Sequence, residues 1–282
     1  MITHLVKRMP VLGFLTGALL FGFAAPLWAA PPAQFTTNLT QGAETITVDY
    51  IHHPLRGANF QVLVQDSAGA LNPVAAPEAR TYIGTVTGYP GATACALLQP
   101  NGTLWEYVIF EAGDQWWADN GIVKRTYGSK TFTPSWPTSA VVTPAQAATV
   151  NYVVAGDMIA EIPYNTFTGV HGSNVDQVVY VQEFCLMQTN LIYLRDIGFL
   201  HRMSRINIRA SQSNDPFRAG TGNQMQTLRG LDGPYVGHEA LKYVTVPGYG
   251  GGAALLGTVG DFYSGVSIND TDGRGDAFIY FR

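Results

Sequence analysis

The chain has 282 residues, 46% of them hydrophobic and 13% charged, with a formal net charge of −4. That composition belongs to a globular protein with substantial cores and excludes intrinsic disorder. A mildly acidic chain without basic clusters is not built to bind nucleic acid or an anionic membrane surface.

Residues 1–29 read as a secretory signal peptide. Lys7 and Arg8 precede an apolar run from Val11 to Trp28, which ends in "PLWAAPP". A basic start, an apolar middle and small residues at the end are the parts of a cleavable leader, with Ala29 at the cleavage position. Gly13, Gly17, Gly22 and Pro26 interrupt the run and argue against a retained anchor. No later stretch approaches the roughly 18 apolar residues a spanning helix needs. The expected location is secreted or periplasmic, with no integral membrane segment once the leader is removed.

Residues 30–127 read as β throughout. "ETITVDYI", "FQVLVQD", "RTYIGTVTGY", "ATACALLQ" and "LWEYVIFE" are short and rich in β-branched and aromatic residues, with Gly, Pro and Asn turns between them. Asn101-Gly102 joins two of these runs and predicts a hairpin. His52 and His53 are adjacent on an expected strand, so their side chains face opposite ways and cannot share one metal. The dibasic pair Lys124-Arg125 is a candidate processing point; an ordinary charged turn is the alternative. Residues 128–149 carry three prolines among Ser, Thr and Ala and read as a linker, open to early proteolysis.

Residues 150–282 alternate strand and helix. Residues 151–164 predict a strand and 173–198 one long helix, started by the Ser173-x-x-Asp176 pattern and ended by Arg195 and Gly198. Val178, Val181, Cys185 and Ile192 share one helix face. Residues 202–211 predict a strand, 225–231 a short helix, and 239–247 and 251–260 two more strands. Cys95 and Cys185 are the only cysteines; buried free thiols are expected, a single disulfide being the alternative.

"VGHEALKY" opens like the zinc-protease signature H-E-x-x-H, but its fifth position is Lys242 and no histidine follows His238. His238-Glu239 runs into a β-favouring segment and is read as a decoy. Gly250, Gly251 and Gly252 are candidates for close approach of a peptide backbone to an edge strand, with a glycine-rich turn as the alternative. Asp270, Asp272 and Asp276 surround two glycines; alternating carboxylates on a tight turn can wrap calcium, with a solvated loop as the alternative. The serine-hydrolase elbow and the phosphate-binding loop are both absent.

Four stretches in order resemble the upper part of the catalytic domain of bacterial reprolysin-like (adamalysin-type, metzincin) zinc metalloproteases. They are "AEIPYNTF", the helix ending "NLIYLRDIGF", "RMSRINIRAS" with "NDPF" behind it, and "GYGGGAALLGTV" followed by "YSGVSI". "RTYIGTVTGYPGATACALLQPNGTLWEYVIFEAGDQWW" resembles the β-rich propeptide of such exported enzymes. The resemblance implies a two-domain protein: a β-rich propeptide-like domain, then an incomplete metzincin-type α/β domain with a mixed sheet and one long helix. It implies zinc in complete members and hydrolysis of protein substrates outside the cytoplasm. Residues 1–282 contain no H-E-x-x-H, so no zinc and no catalytic residue is expected in this chain. A peptide- or protease-binding, inhibitory secreted protein is the rival reading, and an adhesion module with a calcium loop is a third.

Overall fold

A computed structural model of the chain describes residues 30–127, 154–197, 199–218, 227–228, 231, 241–245, 252–254 and 266–269. In the amino-terminal half the strands are β1 (Gln34–Gln41), β2 (Glu44–His52), β3 (Arg56–Gln65), β4 (Leu71–Val74), β5 (Thr81–Val86), β6 (Thr93–Leu98), β7 (Leu104–Ile109), β8 (Gln115–Asp119) and β9 (Ile122–Tyr127). Then come β10 (Val154–Ile162), helix α1 (Val175–Ile197), β11 (Phe199–Ile208), β12 (Leu241–Thr245), β13 (Gly252–Ala254) and β14 (Val266–Asn269).

Seven strands close into a barrel in the order β1-β2-β5-β6-β7-β8-β9. Neighbours are antiparallel except at the closure, where β1 meets β9 in parallel at Thr40 and Ile122. The period-two pattern sends Ile46, Val48 and Tyr50 of β2, Ala94 and Ala96 of β6, Val108 of β7 and Trp116 of β8 into one core. Opposite residues of the same strands, among them Cys95, Leu97, Trp105, Tyr107, Ile109 and Trp117, join a second core with α1 and the second sheet. Strands β6 to β8 are therefore covered on both faces, which is why "TACALL" is a continuous apolar run rather than an alternating one.

Two glycines are required by this geometry. Gly84 pairs with Tyr50, and a Cβ there would lie 2.6 Å from the Tyr50 ring. Asn120 and Gly121, with φ of 49° and 76°, form the two-residue turn between β8 and β9. A Cβ on Gly121 would meet the Asn38 carbonyl at 2.7 Å.

The second sheet has seven strands in the order β13-β14-β12-β10-β11-β3-β4. The five inner strands run parallel, and an antiparallel strand lies at each edge. The expected fold class is corrected here. The described chain is β-rich, with a closed barrel and a single long helix, and there is no clear metzincin-type α/β domain following a propeptide-like one. The sheet is not made by residues 150–282 alone: β3 and β4 come from the amino-terminal half, and β3 pairs with β11 from Gln61–Val64 to Arg205–Ile208. The physical reason is that period two reveals a strand but not its partner, so "FQVLVQD" looked like a neighbour of the barrel strands around it.

Helix α1 matches the expected long helix, with local differences. Asn174, not Ser173, caps it: its Oδ1 accepts the Gln177 N–H at 3.1 Å, while Ser173 sits at φ 60° in the turn before. Val178, Val181 and Cys185 are buried as expected, but Ile192 is 38% exposed. No described helix is long and apolar enough to cross a membrane.

Ala29, the linker at 128–149, His238, Glu239, Gly250, Gly251, Asp270, Asp272 and Asp276 lie outside the described residues. Of the expected helix at 225–231, residues 227–228 are described as helical.

Candidate functional site

Of the residues singled out in the sequence, Gly252 begins β13, and Lys124 and Arg125 lie within β9. β9 is paired with β8, so a protease would have to unzip it before reaching that dibasic pair.

The two edges of the second sheet differ. β4 carries Pro73 in the sequence "LNPV", opposite Leu63. Proline has no N–H and blunts an edge against further pairing. β13, "GAA", pairs with β14 through Gly252–Asn269, Ala253–Ile268 and Ala254–Ser267. It has no proline, and among the described residues no strand pairs with its outer side. Glycine and alanine let another backbone approach closely, so β13 can accept an extended chain by strand addition.

Behind that sheet lie charged groups that the sequence reading missed. Arg56 of β3 donates from Nε and Nη2 to the two carboxylate oxygens of Glu183 on α1. Glu183 is fully buried; burial pushes its carboxyl up, and Arg56 opposes that shift. Arg56 also donates to the Pro77 carbonyl at 2.6 Å and lies 4.7 Å from the centre of the Phe60 ring. On β10, Glu161 accepts from Asn207 Nδ2 at 2.6 Å and from Arg209 Nη2 at 2.7 Å, all three groups being buried. A carboxylate held by a paired guanidinium and an amide is fixed in place, which suits structure better than proton transfer.

Two buried histidines stay neutral at ordinary pH. Burial lowers His171 and His201 to about 4. His201 packs edge-on to Tyr193, and its ring nitrogen lies 3.2 Å from Asn190 Oδ1. His52 Nε2–H donates to the Ala79 carbonyl at 2.9 Å. Inside the barrel, buried Glu106 accepts the Gly121 N–H at Oε2 at 3.2 Å and lies beside the Tyr50 hydroxyl. Burial raises it to about 8.

A cleft of about 810 Å³ opens at one end of the barrel. Tyr89, Phe110 and Trp116 line it with Glu44, Glu111 and Asp114. The rings stack edge-on at 5.4 and 5.1 Å, and the Tyr89 hydroxyl donates to Glu44 at 3.1 Å.

Zinc hydrolysis needs three protein ligands around one open coordination position. Among the described residues no group of three or more His, Cys, Asp or Glu side chains could hold a metal ion. No metal-assisted step can be assigned to them.

No protein-family model matches the chain, and no curated protein matches it. Among solved structures, the chain is similar to metalloproteinase-II from Bacteroides fragilis, with 12% identity and a TM-score of 0.33 over 86% of this chain and 77% of that one. Likeness at that level is distant.

Proposed function

We propose that this is an exported protein of a metalloendopeptidase lineage, of reprolysin type, in which residues 1–282 hold an extended peptide along β13 without cutting it. The lineage rests on the order of the four sequence stretches quoted above. The holding role rests on one observation, the asymmetry of the sheet edges: Pro73 closes β4, while among the described residues no strand pairs with the outer side of β13. Peptide hydrolysis is not part of the reading, since the sequence has no H-E-x-x-H and the described residues assemble no ligand set.

Successive residues of an edge strand point their N–H groups alternately inward and outward. One of Ala253 and Ala254 therefore offers its N–H to an incoming strand, and the other bonds to β14. Fluorescently labelled fragments of reduced casein are the probe, followed by anisotropy. Binding is expected to saturate, with no cleavage products. Of Ala253→Pro and Ala254→Pro, one should abolish binding with little loss of stability, and the other should weaken the fold. Unchanged binding in both variants would sink the edge-strand reading.

A further inference from the structure

We infer that the two halves of this chain form a non-covalent complex that outlasts cleavage of the connection between them, so the amino-terminal half is a standing partner rather than a releasable segment. Three independent contacts join residues 30–127 to residues 154–218, and none uses the connecting residues.

The first contact is the sheet itself. β3 lies between β11 and β4, so removing the amino-terminal half would strip two of the seven strands and expose the backbone edge of β11. The Met203 N–H donates to the Leu55 carbonyl at 2.8 Å at the start of that pairing. An unpaired inner parallel strand is costly to leave in water and prone to wrong pairing.

The second contact is the shared core. Leu55, Val62, Leu97, Trp105 and Trp117 from the amino-terminal half pack in one cluster with Met158, Phe184, Leu186 and Ile206. Trp105 and Phe184 approach to 5.9 Å between ring centres. Separation would expose a contiguous apolar face on both fragments, far beyond scattered surface residues.

The third is polar. Arg56 holds the buried Glu183 carboxylate. At the end of β3, Gln65 Nε2 donates to the Asn214 carbonyl at 3.0 Å, and Asn214 Nδ2 returns a bond to the Ser67 carbonyl at 3.0 Å. Withdrawing the amino-terminal half would take from Glu183 the guanidinium that both of its carboxylate oxygens bind.

The test uses the full chain with a seven-residue site for a specific protease inserted after Thr138. After cutting, a denaturing gel should show two fragments, while size exclusion at micromolar concentration should show one peak at the size of the uncut protein. Loss of the tether removes an effective concentration on the order of millimolar, so a single peak means the contacts suffice without it. In the same background, Arg56→Ala should weaken association on the order of a hundredfold and leave the uncut protein a single species. Two separate peaks from the cut unmodified chain would overturn the inference, as would an Arg56→Ala complex as tight as the parent.

Discussion

Arg56 and Glu183 lie 127 positions apart in the chain and meet as a two-pronged ion pair, with the carboxylate wholly shielded from water. The pair links a strand of the amino-terminal half to the one long helix, at the place where β3 enters the sheet. A carboxylate so placed is tolerable only with its cation.

Breaking the pair on one side should therefore cost more than deleting it. Arg56→Met is expected to destabilise by about 3–5 kcal/mol. The double variant Arg56→Met with Glu183→Leu should recover most of that loss in urea unfolding. Equal and additive losses from the two single changes would show that the pair does not act as a unit.

Gly84 should tolerate no side chain, although its φ is not in the left-handed region. A methyl group there would sit 2.6 Å from the Tyr50 ring, which is itself buried and cannot move aside. Gly84→Ala is expected to cost about 1–3 kcal/mol or more. Gly42→Ala makes the comparison, because Gly42 has open space around it and only its φ of 58° to oppose a side chain. Its cost should be about 1 kcal/mol. Thermal melts of both variants rank the two effects.

Glu106 makes stability fall as pH rises. A glutamate in the unfolded chain ionises near 4.5, whereas burial holds the folded one neutral to about 8. Below pH 4.5 both states keep the proton and there is no penalty. Between 4.5 and 8 the unfolded state gains by losing its proton, so stability drains away over that window. Glu106→Gln removes the effect. It should raise stability at pH 8.5 by on the order of 5 kcal/mol and change it little at pH 4.5. A gain of equal size at both pH values would contradict this assignment.

Cys95 and Cys185 form no disulfide and are buried in the same core, and burial, then the neighbouring Cys185, pushes the Cys95 thiol up. A buried, protonated thiol is a poor nucleophile. Neither should react with a chromogenic disulfide reagent in the folded protein, and two per chain should react after unfolding. Rapid modification of one thiol in the native state would mean that the packing of α1 on β6 is looser than described.

Strand positions were legible where the pattern was local. "ETITVDYI", "ATACALLQ" and "LWEYVIFE" became β2, β6 and β7, and Asn101-Gly102 made the expected turn between the last two, with the Gln99 N–H donating to the Thr103 carbonyl at 2.8 Å. Helix α1 was legible because a run from Val175 to Ile197 has no proline or glycine to stop it. What failed was partnership. Nothing in "RGANFQVLVQ" says that it pairs with a strand 140 or so positions later, since strand periodicity carries no address. The buried charges failed for a related reason: Glu183 and Glu106 stand in strings that look like ordinary amphipathic surfaces until their outer face is covered. Asn120-Gly121, between β8 and β9, is a turn signal of the same kind. At the proposed site, Gly252 was legible as an edge candidate, while the contrast with Pro73 needed the sheet order.

The composite sheet is tested most directly by backbone hydrogen exchange on the intact protein, comparing residues 56–65 with residues 203–208 across a urea series. If β3 is an inner strand beside β11, both segments should be protected and should lose protection together at the same urea concentration. Fast exchange in 56–65 while 203–208 stays protected would place β3 outside the sheet, and with it would go the shared core and the lasting complex of the two halves.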